Sequence, residues 1–205
     1  MVQKTLHTQR LTLHPLGPEH KAALYDLDTN QEVMRYIFTG KPLTEEESTQ
    51  VFGHLLQIAE TDDRFGCWVG YSGDEFVGWW VLAPSENKKT EGQDSEAKPT
   101  TNDKRVEIGM RVAPKVWGQG YAKEGLQAML KYCSEDLGVD EVYGETMAVN
   151  TGSRKAMAKC GLKHVRTWHN KYEEFTPAPG IEEGEVEYRI TRGEWLSLNN
   201  STKST

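Results

Sequence analysis

The sequence predicts one mixed α/β domain spanning residues 1–205, with seven strands and about four helices in the order β-α-α-β-β-β-α-β-α-β-β. Three observations lead there. Apolar residues alternate with period two in several short runs, and they recur at helical spacing in others. Gly and Pro fall between those runs rather than inside them. Finally, an alternating run, a glycine-rich tight loop and an amphipathic run follow one another directly between Val106 and Leu137.

Leu11 and Leu13 alternate with Thr12 and His14, and Pro15, Gly17 and Pro18 close this first strand. Helical spacing follows over Glu19–Leu27 and Thr44–Ile58, the second with Thr44 and Glu47 placed as a capping box. Phe65–Tyr71 and Phe76–Leu82 are β-rich and joined by Ser72-Gly73-Asp74-Glu75, which predicts an antiparallel hairpin. Pro84–Lys104 has no aromatic residue and no aliphatic one larger than Ala97, so residues 84–104 read as a mobile surface insert. Val106, Ile108, Met110 and Val112 alternate as a strand that Ala113-Pro114 stops. After the glycine loop, Ala122, Leu126, Met129, Leu130, Cys133 and Leu137 share a helical face, with Gly138 as the stop. A strand over Glu141–Val149, a helix over Thr151–Cys160 and strands over Leu162–Tyr172 and Glu185–Thr191 complete the order, with 196–205 as a disordered tail.

Composition narrows the function classes. Apolar residues make up 37% and charged residues 27%, the balance of an ordinary globular protein. A net charge of -7 argues against nucleic acid as the main partner, because phosphate binding relies on a basic face. No stretch approaches the roughly 20 apolar residues of a membrane helix, and Met1–Arg10 has no apolar signal core, so the expectation is a cytoplasmic protein with no membrane partner. Cys67, Cys133 and Cys160 are odd in number, widely spaced and set among apolar neighbours, which reads as free thiols in the core. The six histidines lack any paired spacing, and no metal site is expected. Trp68, Trp79 and Trp80 lie on central strands and read as core.

In Lys115-Val116-Trp117-Gly118-Gln119-Gly120-Tyr121-Ala122, two glycines separate a finished strand from an amphipathic helix. Glycines let main chain approach a ligand, and a helix N-terminus offers unpaired N–H groups and partial positive charge, so the arrangement suits an anion such as a pyrophosphate. The Walker pattern GxxxxGK[ST] is absent, and Gly118, Gly120 and Gly125 do not give GxGxxG.

The stretch resembles motif A of the GNAT superfamily of N-acetyltransferases, Q/R-x-x-G-x-G/A, with Lys115 where Gln or Arg is usual. Glu32-Val33-Met34-Arg35-Tyr36, Glu107-Ile108-Gly109, Ala113-Pro114, Asn150-Thr151-Gly152-Ser153, Gly161-Leu162 and Tyr188–Trp195 resemble its RimJ/RimL-type branch. The resemblance covers roughly Thr8–Trp195 apart from the insert. It implies a mostly antiparallel sheet whose fourth and fifth strands run parallel but splay, and acetyl-CoA as co-substrate. By resemblance the binding residues are Met110, Arg111, Val112, Lys115, Val116, Trp117, Gly118, Gln119, Gly120, Tyr121, Ala122, Asn150, Ser153 and Lys155, the last toward the 3′-phosphate. Met110 N–H would polarise the thioester carbonyl.

The tyrosine that commonly serves as general acid would stand at Met157, which cannot donate a proton, and Ser153 is the substitute the branch pattern implies. Glu107 and Glu145 are the candidate bases. The acceptor is then a primary amine, with a protein N-terminal α-amine favoured over a small-molecule amine, attacked directly in a ternary complex. It would be chosen by the first two helices, the loop Glu173–Gly184 and the insert, in a monomer or homodimer. A catalytically silent acyl-CoA-binding regulatory module is the alternative, and nucleotide binding without acyl transfer a third.

Overall fold

The computed structural model describes residues 3–86 and 101–201, with main chain alone at 86, 101–103 and 201. Eight strands form one sheet in the order β1-β2-β3-β4-β5-β6-β8-β7. They are β1 (Leu6–His7), β2 (Thr12–Pro15), β3 (Gly66–Ser72), β4 (Glu75–Glu86), β5 (Thr101–Val112), β6 (Glu141–Met147), β7 (Lys163–Trp168) and β8 (Glu185–Thr191). Six helices accompany them: α1 (Lys21–Asp28), α2 (Gln31–Met34), α3 (Glu45–Thr61), α4 (Tyr121–Lys131), α5 (Thr151–Lys159) and α6 (Arg192–Ser201). None is long and apolar enough to cross a membrane.

The expected seven strands become eight because Leu6–His7 pairs with Thr12–Leu13; two residues are too few to show a period. The parallel pair is therefore β5–β6 rather than the fourth and fifth strands. Four helices become six for similar reasons. Four-residue α2 is started by Asn30, whose Oδ1 accepts from Glu32 and Val33 N–H at 2.9 and 3.3 Å. Helix α6 occupies 192–201, so most of the expected tail is ordered. Its start is a capping box in which Thr191 Oγ1 accepts from Glu194 N–H at 3.3 Å and Glu194 Oε2 accepts from Thr191 N–H at 2.9 Å.

The expected capping box of α3 is present: Thr44 N–H donates to Glu47 Oε2 at 2.7 Å, and these bonds from Thr44 hold the carboxyl below its usual range. Strands β4 and β5 reach into the span read as a loop, with Ser85 opposite Asn102 and Glu86 opposite Thr101. Pro84 does not end β4, because it sits at a register irregularity, where a proline is tolerated within a sheet. The rest of that insert, 87–100, lies outside the described residues.

Trp68, Trp79 and Trp80 are core residues, as read, with Trp68 and Trp80 fully buried and paired across β3 and β4. Helix α4 lies directly on Trp80, because a Cβ on Gly125 would stand 2.1 Å from the indole. On the other face Asp28 of α1 forms a buried ion pair with Arg111 of β5 and accepts from Ser48 Oγ of α3 at 2.7 Å. The three cysteines are free and buried, and burial raises all three thiols, Cys160 to about 12.

Candidate functional site

Two strand features open the site. Pairing of β5 with β6 runs through Arg105–Glu141, Val106–Val142 and Glu107–Tyr143 and then stops, although both strands continue. Beyond that point Ala113 N–H donates to Val77 O of β4 at 2.8 Å. Alternation then turns the N–H and C=O of Ile108, Met110 and Val112 away from β4 and into the gap. Ile108 O lies 3.1 Å from where a Cβ on Gly144 would stand, which confirms the direction and shows why β6 has glycine there. Trp117 Nε1 takes the Val112 carbonyl at 2.7 Å, leaving the amide of Met110 to face the gap.

Where β5 ends, the loop 113–120 turns into α4. Gly118 and Gly120 have φ of 76° and 87°, a left-handed conformation that glycine adopts without strain. The amides of Gly118, Gly120, Tyr121, Ala122 and Lys123 have no acceptor among the described residues, so this loop and first helical turn present unpaired donors. Sequence reasoning overlooked the brace behind the loop. Glu124 Oε1 accepts from Thr8 Oγ1 at 2.6 Å and Arg10 N–H at 2.8 Å, and Arg10 Nη1 reaches Gln119 O at 3.0 Å. Burial opposes ionisation of Glu124, but the bonds from Thr8 and Arg10 outweigh it and lower the carboxyl.

Gap and loop open into one cavity of about 630 Å³. Its lining brings together Glu107, Met110, Arg111, Val112, Val116, Trp117, Gly118, Gly120, Tyr121, Ala122, Glu145, Asn150 and Ser153. Lys115, Gln119 and Lys155 are not part of that lining. Lys115 pairs with Glu75 at 2.9 Å, Gln119 Nε2 donates to Lys115 O at 3.1 Å, and Lys155 is exposed on α5. Arg111 lines the cavity, but its side chain is committed to Asp28 and stacks near Trp79.

Asn150 caps α5: its Oδ1 accepts from Ser153 N–H at 3.2 Å and its Nδ2 donates to Thr146 Oγ1 at 3.0 Å. The Ser153 hydroxyl makes no hydrogen bond among the described residues. Glu107 accepts from Tyr143 O–H at 3.3 Å, and burial pushes that phenol up to about 12. Glu145 lies 3.4 Å from Arg166, which also pairs with buried Glu187 at 2.6 Å. Met157 is buried against Gly144 at the floor. The opposite wall is Glu32, Val33, Arg35, Tyr36, Ile37 and Phe38, with the Arg35 guanidinium 4.6 Å from the Tyr36 ring and 5.7 Å from that of Trp117. Among the described residues no group of three or more His, Cys, Asp or Glu is placed to hold a metal.

The sequence model of the acetyltransferase (GNAT) domain matches residues 10–163. The chain belongs to the GNAT acetyltransferase family. An Aspergillus fumigatus protein named FsC-acetyl coenzyme A-N(2)-transacetylase is 52% identical over 199 residues, 96% of this chain and 80% of that relative. Among solved structures, RimL, a ribosomal L7/L12 alpha-N-protein acetyltransferase in complex with coenzyme A, superposes with TM-score 0.70 at 13% identity, over 92% of this chain and 98% of that one. The spermidine N-acetyltransferase of Vibrio cholerae, in complex with CoA and spermine, does so with TM-score 0.68 at 16% identity, over 92% and 99%. At these identities the two structures speak for the fold alone. This GNAT chain is thus an acetyl-CoA-dependent N-acetyltransferase.

Proposed function

We propose that the chain transfers the acetyl group of acetyl-CoA to an α-type primary amine of a small-molecule acceptor, in one ternary complex, and that it sits in the RimJ/RimL-type branch. The observation that carries the reading is the pairing parity of β5, which turns Met110 N–H into the gap beside a loop of unpaired amides. Those amides, of Gly118 and of Gly120 to Lys123, fit the diphosphate of the donor, and Met110 N–H fits the oxyanion that develops on its thioester carbonyl. The acceptor moves from the peptide N-terminus favoured by the sequence toward a small molecule because of the relative that is 52% identical. The nitrogen locant in that relative's name, N(2), is the one an α-amine carries.

An α-amine with a pKa of about 7.7–8.0 is roughly a tenth neutral at pH 7, against about four in ten thousand for a lysine amine. A weak base is then sufficient. Glu107, held by Tyr143 O–H, takes the proton that the attacking nitrogen loses, directly or through water. Glu145 is the weaker candidate because Arg166 stands beside its carboxylate. As the C–N bond forms and the C–S bond breaks, Ser153 O–H donates a hydrogen bond to the leaving sulfur, and the proton that Glu107 took from nitrogen returns to that sulfur through water.

Thiol release from acetyl-CoA tests the reading across the FsC acceptor, peptides with free N-termini and spermidine. Turnover is expected with FsC above the others. Turnover with peptides alone would return the acceptor to a protein N-terminus. Coenzyme A binding without thiol release on any amine would make the chain a silent acyl-CoA-binding module.

A further inference from the structure

Phe38 is the one non-glycine residue with positive φ among the described residues, at 50°. The left-handed region is costly for a residue with a Cβ, and an aromatic persists there only when its surroundings impose it. Here they do. Phe38 O accepts from Ala178 N–H in the β7–β8 loop at 2.9 Å, Gly40 N–H donates to Ile37 O at 2.8 Å, and Gln31 Nε2 donates to Gly40 O at 2.7 Å. Gly40, with φ of 74°, lies so close to Ala178 that a Cβ would stand 2.9 Å from the alanine methyl. The turn after α2 is thus stapled at both ends.

A glycine would satisfy that turn at lower cost, and the phenyl ring contributes little to the core. At 54% exposed it is the most exposed large apolar side chain among the described residues, and it lines the cavity. The ring therefore serves the cavity rather than the fold. Its backbone is tied to the β7–β8 loop, which leans through Gly180 on Val149 in the turn between β6 and α5, and not to the α4 loop with its free amides.

We infer that Phe38 is a specificity-determining residue for the acceptor, its ring forming the apolar surface against which the carbon skeleton beside the reacting amine packs. This rests on the acetyl-transfer reading. Its signature is a conflict between stability and acceptor recognition at one position.

Three variants read it out with acetyl-CoA as donor and FsC as acceptor. Phe38→Ala and Phe38→Gly both remove the ring, and each is expected to raise the acceptor KM roughly five- to tenfold, the scale of about 50 Å² of lost apolar burial. The KM for acetyl-CoA stays within about twofold, since charge-bearing contacts to the donor are untouched. Phe38→Gly is expected to melt about 2–4 °C above Phe38→Ala, because glycine alone relaxes the backbone. Phe38→Tyr restores the acceptor KM.

An unchanged acceptor KM in the Ala and Gly variants would overturn the inference, as would an equal rise in both KM values or a Gly variant no more stable than the Ala one. Turnover of FsC by the unsubstituted chain tests the underlying reading separately, because it is scored before any variant is compared.

Discussion

Replacing Asp28 by Asn removes one negative charge from the most deeply buried ion pair described here. Asp28 is 2% exposed and its partner Arg111 8%, and the carboxylate also accepts from Ser48 Oγ at 2.7 Å. Asn keeps the size and one acceptor oxygen, so the change isolates charge. Burial lowers the Arg111 pKa and Asp28 is what chiefly opposes that, while a guanidinium does not give up its proton in a folded protein. The variant therefore holds an uncompensated buried cation beside the Trp79 ring, a defect that costs about 3–5 kcal/mol. At about 2–4 °C per kcal/mol for a chain of this size, the melting temperature should fall by roughly 6–20 °C. Urea and thermal unfolding of Asp28→Asn measure this, and Asp28→Asn with Arg111→Met, which removes both charges, should recover most of the loss. A loss under about 1 kcal/mol, or a double variant as unstable as the single one, would refute the reasoning, since exposed ion pairs such as Lys115–Glu75 are of that small worth.

Three further outcomes follow from the same geometry. A Cβ on Gly120 meets only Arg10 Nη2, at 3.4 Å, so Gly120→Val should cost a few degrees of melting temperature through its φ of 87° yet weaken coenzyme A binding at least about tenfold, read by calorimetry; unchanged affinity would remove the loop from the site. Gly125→Ala would drive a methyl into the Trp80 indole, and at least about 1–3 kcal/mol of overpacking should appear as lost stability with altered tryptophan emission. Burial raises Tyr132 and Tyr143 to about 12, above the roughly 10 of an unfolded tyrosine, so the stability tied to their neutral forms is complete below pH about 10 and lost as pH rises through about 12. An ultraviolet titration should leave both unionised at pH about 11 until the chain unfolds, with Tyr143→Phe removing one late step.

The parts of the fold that show in the sequence are those whose period or cap repeats often enough to be counted. Helix α3 shows through its apolar spacing and its Thr44–Glu47 box, and the β3–β4 hairpin through alternation on both sides of Gly73. Strand β1 and helix α2 do not, because two and four residues hold no period. The end of β4 is hidden by Pro84, which reads as a stop unless the bulge that tolerates it is known. Helix α6 carried a readable signal in Thr191 and Glu194, the same box that marks α3. In the site, the glycine loop and the strand before it are local and therefore legible. The brace from Thr8 and Arg10 to Glu124 is not, since its partners are more than a hundred residues apart.

The methionine at 157 bears on the acceptor as well as on the acid. Met157 is 3% exposed and lies where a Cβ on Gly144 would come within 2.8 Å of its sulfur, so it packs the floor of the gap and offers no proton there. In the proposed reaction a hydroxyl at the start of α5 serves the leaving thiolate instead, that of Ser153, whose own N–H is already spent on capping. A serine is a weak acid, so the proposed reaction calls for an acceptor that needs little help: an amine already partly neutral near pH 7, attacking a carbonyl polarised by a fixed main-chain donor. Under the proposed reaction, a non-acidic residue at 157 and an α-amine acceptor answer one chemical constraint: a hydroxyl that gives the thiolate only a hydrogen bond is enough when the attacking amine is already partly neutral.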